Sequence, residues 1–306
     1  MSRVTTGRQR VEAVLARAAM GLLGALPATV AARLGGGIAR VVGPLLPVSE
    51  VARINLRLAL PERGETAHRR IVRGIWWNLG CTVGEMPHLA EFRLGGAAPG
   101  YQIEGAEIVR GLAAKGGPAI FFSGHIGNWE LLTPAAAQLG MRLALFYRAA
   151  ENPAVDEMIS NFRRFSAGGD LTLLPKGASG AREALAHLRA GGFLAILADQ
   201  KMNDGIEVKL FGQPAMTAPA LAALALRFRC PVVPVHVERL GPAQLSVTVE
   251  PPLPLPASGD RVHDIALLTL AVNSCLEGWI RARPEEWLWL HRRFGKENYG
   301  RRGRRG

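Results

Sequence analysis

Short apolar runs alternate with amphipathic helical segments along most of the chain after residue 99. Runs of Val, Ile, Leu and Phe bounded by Gly, Pro or charged residues are typical of buried strands. The predicted strands cover 119–123, 143–148, 171–175, 193–199, 232–238 and 245–250. The predicted helices around them cover 106–115, 129–139, 153–166, 181–190, 218–229 and 262–283. Strands that alternate with helices predict an α/β fold, with a mixed, mostly parallel sheet flanked by helices.

The first 95 residues follow a different pattern, in which Arg, Glu and His are mixed with apolar residues at helical spacing. The longest stretch without a charged side chain, residues 18–32, contains Pro27 and is shorter than the roughly 20 residues needed to span a bilayer. Arginines flank this stretch, which is typical of helices that lie on a membrane surface. Packing of the same helices on the protein body is a compatible alternative.

This change of pattern predicts three regions. Residues 1–95 form an N-terminal helical, membrane-associated region, and residues 96–298 form the α/β domain. Residues 299–306 form a basic tail that we expect to be disordered.

Charge narrows the class of partner. The chain has 306 residues, with 37 Lys and Arg against 25 Asp and Glu, which gives a net charge of +12. This balance suits an anionic lipid surface, an acidic protein or nucleic acid. Nucleic acid is disfavoured because the sequence has neither a known binding module nor aromatic residues interleaved with Lys and Arg on one face.

Several kinds of catalysis are also disfavoured by the sequence. The cysteines at 81, 230 and 275 are odd in number and widely spaced, so they form neither a disulfide framework nor a CxxC zinc site. The chain lacks the GxSxG, HExxH and GxxxxGK[ST] motifs of serine hydrolases, zinc proteases and P-loop nucleotidases. We therefore expect no cofactor and no metal.

The strongest local candidate for chemistry is the segment SGHIGNWEL at 123–131, which follows a strand and opens a helix. Ligands bind at such strand ends in open α/β sheets. His125 lies in the turn, and Glu130 follows it by five residues. The spacing allows Glu130 to hold one ring nitrogen while the other takes a proton from an acceptor hydroxyl. A turn histidine without chemistry is the alternative.

Two further clusters of polar residues follow strands. Arg148 ends one strand, while Asn152 and Arg163 lie on the helix after it, where they could bind a phosphate or carboxylate. A solvated helix face capped by Asn152 explains them equally well. Asp199 ends a third strand and Gln200 follows it, either as substrate-binding residues or as a loop cap.

These segments together resemble the lauroyl/myristoyl acyltransferases of bacterial lipid A biosynthesis, within the wider lysophospholipid acyltransferase superfamily. The matching blocks lie at 125–130, 147–163, 198–200, 211–217 and 284–294. HIGNWE is similar to an HxxxxE variant of the family's catalytic motif, and the closing PEEWLWLHRRF is specific. The resemblance extends over roughly residues 50–295.

The resemblance implies a glycerolipid acyltransferase-like fold and transfer of a fatty acyl chain from acyl carrier protein or acyl-CoA. The acceptor is implied to be a hydroxyl of an anionic lipid A precursor, at the cytoplasmic face of the inner membrane. His125 is expected to act as general base oriented by Glu130. Arg163, with Arg148 as a second candidate, is expected to bind a phosphate of the acceptor or of the donor's phosphopantetheine. Another acceptor, a lysophospholipid or other glycolipid, and a non-catalytic membrane-associated scaffold are the alternatives.

Overall fold

A computed structural model describes residues 6–147, 149–169, 171–175 and 177–300. The α-helices of these residues are α1 (Gly7–Gly24), α2 (Ala28–Val42), α3 (Ser49–Ala59), α4 (Gly64–Glu85), α5 (Ala106–Lys115), α6 (Leu132–Gln138), α7 (Pro153–Ser166), α8 (Ala178–Arg189), α9 (Ala220–Phe228) and α10 (Arg261–Ala282). The strands are β1 (Arg93–Leu94), β2 (Gly100–Glu104), β3 (Ala119–Ser123), β4 (Leu143–Tyr147), β5 (Thr172–Pro175), β6 (Phe193–Leu197), β7 (Lys201–Leu210), β8 (Gln213–Thr217), β9 (Val232–Gly241) and β10 (Gln244–Val249).

The main sheet of the described residues has eight strands in the order β1-β2-β10-β9-β3-β6-β4-β5. Neighbouring strands are parallel except β9 and β10, which pair antiparallel. The predicted α/β fold with a mixed, mostly parallel sheet is therefore confirmed, and each predicted strand is present. Strands β1 and β2 and the separate β7–β8 hairpin were not predicted.

The two faces of the sheet are covered by different helices. Alternate residues of a strand face opposite sides, so Phe121 and Leu143 pack with α5 and α6, whereas Ile120 and Leu194 pack towards α8, α9 and α10. The N-terminal helices α3 and α4 belong to the core on the α8, α9 and α10 side of the sheet, through residues such as Leu56. This layering leaves the turns after β3 and β6 together at one edge of the sheet.

Helix α2 packs unusually closely on α4 because glycines meet at the contact. A Cβ on Gly35 would lie 2.4 Å from the carbonyl oxygen of Gly80, and one on Gly84 would lie 2.4 Å from that of Ala31. The opposite side of α2 exposes apolar side chains, among them Ile38 at 57% and Val41 at 70%. The small residues thus fix α2 with its apolar side outward.

Among the described helices, α10 alone is long and apolar enough to cross a membrane. Leu268, Val272, Leu276 and Ile280 of this helix are buried in the core of the sheet. The same length and composition are therefore accounted for by a core helix.

The chain remains part of the core up to residue 299. Tyr299, which the sequence assigned to the tail, is buried, and its hydroxyl donates to Asn55. The predicted start of the tail is therefore wrong at this residue, and residues 301–306 lie outside the described residues. The boundary at residue 95 stays a prediction.

Candidate active site

The turn after β3 carries His125 and is held in a tight backbone conformation. Every residue of β3 is buried, and the chain leaves the sheet at Gly124. Gly127 has φ of +58°, and a Cβ there would lie 2.2 Å from the carbonyl oxygen of Val237. Only glycine fits this position without movement of the β9 backbone. The turn is therefore fixed against the sheet, and His125 with it.

A buried carboxylate holds the His125 ring. Nδ1 of His125 lies 2.8 Å from Oδ1 of Asp199, and the His125 backbone N–H donates to Oδ2 at 3.0 Å. Burial alone would raise the pKa of Asp199, but the neighbouring His125 holds it well below its usual range. An ionised carboxylate only accepts hydrogen bonds, so Nδ1 carries the proton and Nε2 is the basic nitrogen.

Glu130 has a different partner from the one predicted. Its carboxylate accepts two hydrogen bonds from Arg163, at 2.7 Å from Nε and 2.6 Å from Nη2, and one from the Trp129 indole at 3.1 Å. Burial would lower the pKa of Arg163, but its hydrogen bonds to Glu130 and the charge of that carboxylate raise it above its ordinary value. The expectation that Glu130 orients His125 is therefore wrong in this structure, where Asp199 does so.

Sheet topology explains why Asp199 rather than Glu130 reaches the ring. Strands β3 and β6 are parallel neighbours in which Ser123 pairs with Leu197. His125 and Asp199 each follow these paired residues by two positions, so the two turns bring them together. The sequence placed both residues at strand ends, but the pairing of β3 with β6 follows only from the order of the strands in the sheet.

Both side-chain pairs lie beside a cavity of about 580 Å³ between the sheet and α5, α6 and α7. Its polar end is lined by His125, Glu130, Tyr147, Arg163 and Gln200. Its apolar end is lined by Ile103, Val109, Val235, Val247 and Val249. The apolar end crosses from β3 to β2, a distance of about 14 Å for three strand spacings. The shape suits an apolar chain whose reactive end lies at His125.

The remaining predicted site residues differ in where they lie. Asn152 caps α7, where its side chain accepts from the Ala154 N–H at 3.2 Å and donates to the backbone oxygen of Gln9 at 2.7 Å. Asn152 does not line the cavity, so the helix-cap interpretation holds for it. Gln9 also donates to the backbone oxygen of Glu151 at 3.2 Å, which joins α1 to the start of α7. Arg148 lies outside the described residues.

A buried polar network behind the turn was not predicted from the sequence. Asn78 on α4 donates to the carbonyl oxygen of Gly127 at 2.9 Å, and Asn128 donates to Glu85 at 2.7 Å. Glu85 in turn pairs with Arg239 of β9, and all four charged or amide side chains of this network are buried. Buried charges of this kind stay ionised only when they are paired. The Glu85–Arg239 pair ties α4, β9 and the turn after β3 together.

Among the described residues, no group of three or more His, Cys, Asp or Glu side chains could hold a metal ion.

Comparison of the sequence with known protein families assigns the chain to one of them. The sequence profile of the bacterial lipid A biosynthesis acyltransferases matches residues 7–296. No curated protein matches the sequence. Since the family match covers nearly the whole chain, this protein belongs to the bacterial lipid A biosynthesis acyltransferase family.

Proposed function

We propose that this protein transfers a fatty acyl chain from an acyl thioester to a hydroxyl group of a lipid A precursor. The single observation that carries the proposal is the His125–Asp199 pair beside an apolar cavity, in a chain of an acyltransferase family. An apolar cavity next to a basic imidazole suits a reaction in which a hydrophobic chain delivers a carbonyl to that imidazole.

The chemistry follows from the tautomer of His125. Nε2 removes the proton of the acceptor hydroxyl as its oxygen attacks the thioester carbonyl, and Asp199 stabilises the imidazolium that forms. The tetrahedral intermediate collapses with loss of the thiolate, which recovers the proton from Nε2. A positioned general base of this kind typically contributes about 10²–10⁴-fold. Because the thioester is already activated, no covalent enzyme intermediate is required.

Arg163 is the anion-binding group of the proposed site. Its guanidinium is half-buried at the polar end of the cavity, and Glu130 holds it through two hydrogen bonds. A guanidinium held in this way binds a phosphate with defined geometry. In the proposal, Arg163 binds a phosphate of the acceptor or of the donor's phosphopantetheine, and Glu130 positions Arg163. Gln200 lines the same end and completes the polar surface.

We further propose that α1 and α2 lie on the cytoplasmic face of the inner membrane. Exposed apolar side chains on these helices include Leu15 at 64% and Val41 at 70%. Charged residues over the described residues 6–48 are five arginines and Glu12. Apolar side chains next to arginines are typical of helices that bind anionic lipid surfaces. The net charge of +12 also favours approach of an acidic carrier protein as donor, with acyl-CoA as the other candidate.

The test is a transfer assay with purified protein in detergent. Acyl carrier protein or coenzyme A loaded with chains of graded length is the donor, a tetra-acylated lipid A precursor is the acceptor, and mass spectrometry detects the product. His125→Ala is compared with His263→Ala, which changes an exposed histidine that does not line the cavity. A gain of one acyl chain that His125→Ala alone abolishes supports the proposal.

Other outcomes distinguish the alternatives. Acylation of a lysophospholipid or another glycolipid, but not of the lipid A precursor, retains the chemistry and changes the acceptor. Absence of transfer to every acceptor by folded protein contradicts the proposal and favours a scaffold.

A further inference from the structure

The closing segment of the chain, residues 284–289, forms the back wall of the catalytic turn. The backbone N–H of Leu288 donates to the carbonyl oxygen of His125 at 3.0 Å, and the N–H of Gly127 donates to that of Glu286 at 3.1 Å. Between these two bonds, the indole Nε1 of Trp287 donates to Oδ2 of Asp199 at 2.7 Å. The segment therefore contacts both members of the His125–Asp199 pair.

The hydrogen bonds to the Asp199 carboxylate are divided between its two oxygens. Nδ1 of His125 lies 2.8 Å from Oδ1 and 3.1 Å from Oδ2, and Oδ2 also accepts from the His125 backbone N–H at 3.0 Å and from the Trp287 indole at 2.7 Å. The carboxylate is fully buried, so these donors replace the water that would otherwise solvate its charge. Its orientation therefore depends on the Trp287 indole as well as on the histidine that it serves.

Trp287 has no direct access to a substrate. It is 1% exposed and does not line the cavity. Any influence that it has on the reaction must therefore pass through Asp199 or through the packing of the closing segment. If the influence passes through Asp199, loss of the indole N–H alone should change the reaction. If it passes through packing, loss of the N–H alone should not.

We infer that Trp287 is a positioning residue that fixes Asp199 and limits the negative charge that this carboxylate presents to His125. This inference rests on the proposed role of His125 as general base. A hydrogen bond from Trp287 withdraws charge from the carboxylate, so its loss leaves more charge to stabilise the imidazolium. Trp287 thereby sets how acidic the medium can become before the base is lost by protonation.

Other charged and titratable groups face this pair from the residues that directly follow the closing segment. The ring of His291 lies against that of Trp287, with centroids 5.3 Å apart, and interacts electrostatically with both Asp199 and His125. Arg293 also interacts with Asp199, and its guanidinium donates to Thr217 at 2.8 Å. From the other side, the indole of Trp129 contacts the His125 ring, with centroids 5.0 Å apart. The test variants leave all three of these residues unchanged.

The experiment compares Trp287→Phe with Trp289→Phe. Trp289 is equally buried in the same segment, but its indole N–H donates to the carbonyl oxygen of Pro284 at 2.7 Å instead of to Asp199. Both variants thus lose one buried indole and one hydrogen bond. Benzothienylalanine at Trp287, which keeps the bicyclic shape but lacks the N–H, provides a second variant if Trp287→Phe fails to fold.

The pH dependence of kcat is measured for each protein, and the His125 ring is titrated by NMR in histidine-labelled samples. Loss of the Trp287 N–H is expected to lower the plateau kcat roughly tenfold to a hundredfold, the range for one charge-assisted hydrogen bond. Loss of the Trp287 N–H should also move the midpoint of the acidic limb of the kcat profile to higher pH by about half to one pH unit. The midpoint of the His125 titration by NMR should move by the same amount. KM should not change, because Trp287 does not contact the cavity.

Equal behaviour of the variants at 287 and 289 would overturn the inference and leave packing as the role of Trp287. The NMR titration separates this result from failure of the proposed function. If the wild-type protein shows no transfer, a His125 titration that shifts upward only on loss of the Trp287 N–H still supports the coupling. An unchanged titration overturns it whether or not transfer is observed.

Discussion

The apolar end of the cavity should determine which acyl chain lengths the protein accepts, and Val247→Phe tests this directly. Val247 on β10 lines that end, two strands away from β3, which leads to His125. We place the chain there because this end is lined by Ile103, Val109, Val235 and Val249, whereas the other end carries Glu130, Arg163 and Gln200. Phenylalanine would occupy the space of the last few methylene groups of a long chain.

The expected magnitude follows from the burial of hydrocarbon. Each methylene contributes about 0.8 kcal/mol when buried, which corresponds to about a fourfold change in kcat/KM. Exclusion of three methylenes should therefore lower kcat/KM for a long-chain donor about 60-fold relative to a short-chain donor that does not reach β10. The variant should consequently prefer shorter chains while it retains its activity with them.

The assay is competition between acyl donors of graded length in one reaction, with product ratios read by mass spectrometry. Leu245→Phe is the matched control, because Leu245 is buried two residues earlier on the same strand but does not line the cavity. Equal loss of activity with all chain lengths, or product ratios like those of the control, would refute the placement of the chain.

Three further predictions concern the charged groups and the membrane. Asp199→Asn should lower kcat about 10²–10⁴-fold without loss of folding, and near wild-type turnover would rule out its role at His125. Burial raises the pKa of Glu286 from 4.5 to about 7, so the free energy of unfolding should fall by about 3 kcal/mol as the pH rises through this interval. Glu286→Gln should abolish this fall, which is measured by thermal melts at pH values on either side of the interval. An unchanged dependence of the free energy of unfolding on pH would contradict the assignment. Ile38→Glu on the exposed side of α2 should reduce sedimentation of the protein with anionic vesicles, whereas Arg261→Glu at the exposed start of α10 should not. Equal binding by both variants would argue against α2 as the membrane contact.

The main sheet was largely predictable because its central strands are continuous apolar runs, as parallel strands buried on both faces must be. The hairpin β7–β8 was missed for the opposite reason. Its first strand reads KMNDGIEVKL, in which charged and small residues leave no apolar run, and most of its side chains are exposed or half-buried. Pairing with β8, rather than burial, makes this segment a strand.

The sequence singled out His125, Glu130, Arg163 and Asp199 as candidates but did not predict which of these side chains pair. The spacing from His125 to Glu130 suggested contact, but Gly127 with positive φ and the short 3₁₀ turn at Trp129–Leu131 separate the two side chains. The actual partner, Asp199, is distant in sequence, and Arg163 reaches Glu130 from α7. Contacts between distant residues depend on strand order, which no local pattern encodes.

The junction between α1 and α7 matters for anyone who wishes to prepare a detergent-free sample. Deletion of α1, which exposes apolar side chains, would be the obvious way to improve solubility. It would also remove the backbone oxygen of Gln9 that Asn152 binds at the cap of α7, the helix that delivers Arg163. Polar replacements at the outward-facing Leu15 and Leu22 offer a safer route. They reduce the exposed apolar surface and leave the contact between Gln9 and Asn152 in place.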